Sequence, residues 1–193
     1  DSLWSAFKAD LHQAVMFYAS FDATGDDIHY RVYLELPATP DQPGAGIHGN
    51  GYKWNPVSGQ AERVTRYRER LFRNRDHVTE VLRHQLGLIG NAAIRHTVQS
   101  VFDRAAAQAD PAGFMFLDAS EAASRRQSFT LTFSGAQVAV HDCVPALLQL
   151  ARALALPEGD VARTFMSDDP RVVRSLAAGK TREGSEFFTF YYG

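Results

Sequence analysis

Cations and tyrosines stand side by side in three short stretches of this chain: His29-Tyr30-Arg31-Val32-Tyr33-Leu34-Glu35, then Tyr52-Lys53-Trp54, then Arg63-Val64-Thr65-Arg66-Tyr67-Arg68. In extended backbone alternate side chains share a face. Ile28, Tyr30, Val32, Leu34 and Leu36 therefore form an apolar side of one strand, and His29, Arg31, Tyr33 and Glu35 form the other. Arginine forks match phosphate or carboxylate, and tyrosine supplies a stacking face with a hydroxyl at its edge. Such a surface can grip an anionic or aromatic molecule. Its substrate-binding candidates are Tyr18, Arg31, Tyr33, Lys53, Arg66, Arg68 and Tyr191, and its candidate bases are Glu35 and Asp22. The plainer reading is a wet sheet face laced by cross-strand pairs, for example Glu35 with a cation on the next strand. Both stand at this stage. Tyr52 and Trp54 read first as packing and second as the walls of a pocket.

Other chemical signatures are weak. Gly44-Ala45-Gly46-Ile47-His48-Gly49 matches the dinucleotide-binding pattern, but that pattern works only where a strand precedes it and a helix opens at it. Here prolines and further glycines flank it, so it reads as a loop. His77 and His84 lie two turns apart on one helix, too far to share a metal. His141 and Asp142, read as neighbours at a strand end, point in opposite directions and make no dyad. Cys143 reads as a packed thiol, and Asp168-Asp169 as helix capping. There is no P-loop, nucleophile elbow or zinc-binding cysteine pair. No cofactor is expected.

The elements that would carry these residues alternate between helix and hairpin. Leu3, Trp4, Phe7, Leu11 and Ala14 predict a first helix with one buried stripe. Residues 15–22 and 28–36 predict a hairpin around Gly25, and residues 51–55 and 62–69 a second hairpin around Asn55-Pro56. Between them Pro37 to Gly51 reads as a surface loop rich in Pro and Gly, placed to act as a lid. Asp76 suits the cap of a helix carrying Val78, Val81, Leu82 and Leu86; Ile94, Val98, Val101, Phe102 and Ala105 mark another. Phe114 to Leu117 and Ser128 to Phe133 predict a further hairpin, with Phe129, Leu131 and Phe133 opposed to Ser128, Thr130 and Thr132. Asp142 and Pro145 suit a helix start, and Phe187 to Tyr192 a last strand. Asp169-Pro170 through Gly179 carries helix signals, although Val172 to Ala178 could also pair with the final strand; the helix is the favoured reading.

These elements predict an α+β fold in which antiparallel β-hairpins alternate with amphipathic helices, the helices covering the apolar face of a sheet or partial barrel. At 193 residues and 45% apolar content one globular domain, residues 1–193, is expected. A single cysteine, and no run approaching roughly 18 apolar residues, predict a reducing cytoplasm and no membrane partner. A formal charge of −2 argues against general nucleic-acid binding.

With its helix-hairpin alternation, its Arg31-Val32-Tyr33 run and Lys53, the chain resembles the aromatic prenyltransferases of the αββα-repeat barrel kind. The resemblance implies that strand-borne Arg, Lys and Tyr hold an isoprenoid diphosphate while an aromatic acceptor stacks nearby. That barrel is larger than the about eight strands legible here. Two functions are therefore expected: a small-molecule biosynthetic enzyme of transferase type, prenyltransferase-like, or a non-catalytic subunit that docks a peptide or protein through the same face.

Overall fold

The computed structural model describes residues 2–24, 27–37, 48–59, 61–121, 126–165 and 171–193; Ser2, residues 20–24, Asp27, His48 and residues 61–64 are described by backbone alone. The fold is α+β with antiparallel strands throughout. The chain packs as two compact units, Asp1–Leu71 with Leu117–Ser124, and Phe72–Phe116 with Arg125–Gly193.

In the first unit a helix, α1 (Ser2–Gln13), precedes the strands β1 (Met16–Thr24), β2 (Asp27–Leu36), β3 (His48–Trp54) and β4 (Ala61–Arg70), paired in sequence order. Alternation decides which face α1 covers. Phe7 of α1 packs edge-on against Tyr52, with 5.1 Å between ring centroids, and Tyr52 stands opposite Val32. Leu34 and Leu36 continue that face and are buried. Its far end is open: Ile28 and Tyr30 keep 41% and 44% of their surface exposed, because α1 is only 12 residues long. The expected buried stripe of α1 is likewise narrower than read. Leu3, Phe7 and Ala14 are half-buried, while Trp4 and Leu11 face solvent.

The glycine-rich start of β3 corrects the sequence reading, which left residues 48–51 in a loop. Gly49 and Gly51 fall on one face of the strand, and Asn50, Tyr52 and Trp54 on the other. A Cβ on Gly49 would lie 2.6 Å from the Tyr33 ring, and one on Gly51 3.0 Å from the Tyr67 ring. These glycines are strand positions emptied to admit tyrosines, which also removes the helix a dinucleotide fingerprint needs at Gly49. The rest of the expected lid, residues 38–47, lies outside the described residues.

The second unit holds α2 (Arg75–Gly87), α3 (Ala92–Ala106), a 3₁₀ turn (Pro111–Gly113), β6 (Gln127–Thr132), α4 (Val140–Ala153), α5 (Glu158–Phe165), β7 (Val173–Lys180) and β8 (Glu186–Tyr192). The strand β5 (Met115–Ser120) gives Met115 and Phe116 to this unit and Leu117 onward to the first. Asn74 rather than Asp76 caps α2, its Oδ1 accepting from the His77 N–H at 3.0 Å. Asn91 caps α3 in the same way. Phe129, Leu131 and Phe133 are buried as their alternation predicts, beside Phe116, Val98, Val101 and Leu176.

The favoured helix at 170–178 is overturned. Val173–Lys180 is a strand between β6 and β8, with Leu176 opposite Leu131 and Phe190. The run Leu176-Ala177-Ala178-Gly179 is buried, and small residues let it lie between two neighbours. At Gly179, φ is +148° and a Cβ would come within 2.3 Å of the Gln127 carbonyl oxygen, so this glycine serves close strand packing and terminates no helix. Asp168 and Asp169 lie outside the described residues. Helix α5 had no counterpart in the sequence reading. Asp142 lies in the first turn of α4, as its helix-start reading predicts; His141 is in that helix and ends no strand, and the two side chains do not point apart, His141 Nε2 lying 3.1 Å from Asp142 Oδ1 at the surface. Cys143 is fully buried, and burial pushes its thiol up to about 11. Among the described residues no helix is long and apolar enough to cross a membrane.

Candidate functional site

The site builds up on the face of the first sheet turned away from α1. Arg31 stands directly opposite Lys53 across β2 and β3, and opposite Ser20 across β1 and β2. Two residues along β2, Tyr33 stands between Tyr18 and Gly51, and Glu35 between Met16 and Gly49. The backbone of Asp22 stands opposite His29. Five of the predicted residues, Tyr18, Arg31, Tyr33, Glu35 and Lys53, thus lie on one side of one sheet.

Arg66 and Arg68 do not join them. Arg66 pairs with Asn50 and Arg68 with His48, on the side that α1 covers. The reason lies in what else β4 must place: Arg and Tyr alternate along it, so only one kind can face the site. Thr65 and Tyr67 take that position, Thr65 buried and donating to Glu121 Oε1 at 2.7 Å, Tyr67 lying over Gly51. A bulge between Gly51 and Lys53 then brings Lys53 opposite Glu62. Tyr191 belongs to the second unit, where it shares a face with Ser175 and Thr132.

Three tyrosines form the floor of the site. The Tyr33 ring meets Tyr67 edge-on at 5.0 Å and Tyr18 at 5.8 Å. Burial, and next the negative charge of Glu35, push the Tyr33 hydroxyl up to about 12. At neutral pH it is therefore a proton donor, suited to a phosphate or carboxylate oxygen. Arg31 and Tyr18 are exposed and Lys53 is half-buried; together they give a cationic, hydrogen-bonding surface beside aromatic faces. Among the described residues no group of three or more His, Cys, Asp or Glu is placed to hold a metal.

Tyr67, Thr65 and Glu121 escaped the sequence reading. Glu121 is only 7% exposed, an unusual state for a carboxylate and one that requires hydrogen-bonded partners. Its placement depends on a contact with β4, 56 residues away in sequence, for which local pattern offers no signal. Tyr67 was legible in principle, since a strand reading that aligned Tyr67 with the paired glycines would have placed it over them.

On the opposite face Tyr52 and Trp54 both pack and line a pocket. The Tyr52 hydroxyl donates to Asp10 of α1, whose carboxylate also accepts from Asn50 Nδ2 at 2.6 Å. Burial, and then this bond, hold the Tyr52 hydroxyl well above its ordinary range. Comparison with protein-family models, curated proteins and solved structures returns no match.

Proposed function

We propose that this protein is a transferase-type enzyme that holds an anionic, diphosphate-bearing substrate against an aromatic acceptor on the Tyr/Arg/Lys face of its first unit. The observation that carries the proposal is the cross-strand pair Arg31 and Lys53, flanked by the Tyr18–Tyr33–Tyr67 cluster. The guanidinium fork and the ammonium suit diphosphate oxygens, and the neutral Tyr33 hydroxyl adds a donor. The acceptor oxygen would attack the substrate carbon as the bond from that carbon to the diphosphate oxygen breaks. The diphosphate would leave with the electron pair, its charge stabilised by Arg31 and Lys53. Glu35, two residues from Tyr33 on the same face, would take the acceptor proton, with Asp22 as the alternative base. This division of labour is similar to that implied by the αββα-repeat prenyltransferases.

One observation favours a second reading, a docking surface for a peptide or protein: Tyr18 is 57% exposed and Arg31 is exposed beside it, the residue types that anchor interfaces. Thermal melting separates the two. The enzyme reading expects pyrophosphate and isoprenoid diphosphates to raise the melting temperature by mass action, and Arg31→Ala to remove the shift. No shift with any phosphate, alongside saturable peptide binding that Arg31→Ala weakens, would replace it with the docking reading.

A further inference from the structure

A cavity of about 280 Å³ lies between α1 and β3 in the first unit. Trp4 and Phe7 of α1 line it from one side, and Tyr52 and Trp54 of β3 from the other. Trp4 stacks on Phe7 at 5.3 Å and 14°, and Phe7 meets Trp54 at 6.3 Å. The wall offers rings and holds no partner for a charge. Among the described residues no carboxylate lines the cavity. The nearby Asp10 carboxylate accepts from the Tyr52 hydroxyl and from Asn50, so that hydroxyl is already paired. Lys53 borders the space from its place on β3, but it stands opposite Arg31 and carries its side chain on the other face of the sheet. The Lys8 ammonium lies 5.2 Å from the centre of the Trp4 ring and is no part of the lining.

We propose that this cavity binds a small, neutral, planar aromatic molecule. Size sets the ring count: a cavity of about 150 Å³ accepts benzene, so 280 Å³ admits two fused rings. The lining sets the charge. An anion or a cation carried into the space would give up its hydration with no opposite charge to meet it, a cost larger than ring contacts return. The rings set the shape, because an aromatic ligand gains offset and edge-on contacts that a saturated one of equal size lacks. The site is independent of the proposed transfer reaction, since Tyr52 and Trp54 are on the other side of the sheet from Arg31 and Tyr33.

The chain has two tryptophans and both line the cavity, so the occupant reports itself. Titrating quinoline, uncharged at neutral pH, into the full chain should shift the indole N–H resonances of Trp4 and Trp54 saturably. N-methylquinolinium, which carries a fixed positive charge in the same rings, and the anion 2-naphthoate should each bind about tenfold more weakly. The neutral saturated bicycle 2-decalone should bind about fivefold more weakly. Trp4 is 54% exposed, so Trp4→Ala spares the core; it should weaken quinoline by about fivefold, and Arg31→Ala should leave quinoline binding unchanged. Absence of indole shifts in the wild-type protein overturns the proposal whatever the variants do. So does binding of either ion or of 2-decalone as tight as that of quinoline, undiminished binding by Trp4→Ala, or loss of binding in Arg31→Ala, which would put the ligand on the other face.

Discussion

Tyr33 sits where burial and charge act in the same direction. Its neutral form is favoured in the folded protein, with the hydroxyl pushed from 10.0 up to about 12 by burial first and Glu35 second. The stability this contributes is complete below the unfolded value near 10.0 and is lost as pH rises toward about 12. Alkaline titration followed by tyrosine absorbance should show Tyr33 and Tyr52 ionising late, and Tyr33→Phe should remove the earlier of these two steps; an unchanged titration would contradict the packing described. Asp10 is the matching acceptor on the helix side. Asp10→Asn weakens the bonds from Tyr52 and Asn50, with an expected loss of about 1.5–3 kcal/mol in denaturant unfolding. Cys143, with its thiol pushed up to about 11, should resist iodoacetamide at neutral pH until the protein unfolds.

Among the elements, β7 and β8 show most clearly what local pattern conveys. Glu186 at the start of β8 accepts from the backbone N–H groups of Gly90 and, at 2.7 Å, Asn91, between α2 and α3. Glu186→Gln should cost about 1.5–3 kcal/mol, measured by the denaturation midpoint at constant slope. Gly179→Ala should cost more than about 2 kcal/mol, because the added Cβ meets backbone that no rotamer change can move. Alternation made β2 and β6 legible, since Leu34 and Leu131 lie on buried faces that recur every second residue. β7 was not legible. Its Ala-Ala-Gly run has no alternation because it is buried on both sides, and its flanking Pro and Gly imitate helix caps. The same limit hid half the site. Arg31, Tyr33 and Glu35 follow from one strand's period, but which face of β4 joins them depends on where β3 empties its side chains, a pairing the sequence does not display locally.

At the scale of the molecule, the two units differ in how much they bury. The second has a continuous core of helices and strands from Val78 to Ala178, whereas the first leaves Trp4, Phe17, Tyr18, Ile28 and Tyr30 exposed. Amide exchange should accordingly be slowest in α3, β6 and β7 and faster in β1 and β2, with protection rising in β2 and β3 when ligand binds. The central claim is that the face away from α1, and not the face beneath it, recognises the diphosphate. Calorimetric titration of an isoprenoid diphosphate into the wild-type protein and into Arg31→Ala, Lys53→Ala and Arg66→Ala tests it directly. The account predicts a loss of about 1.5–3 kcal/mol of binding for Arg31→Ala and for Lys53→Ala, and wild-type affinity for Arg66→Ala. Equal loss in Arg66→Ala, or affinity untouched by Arg31→Ala, would contradict it.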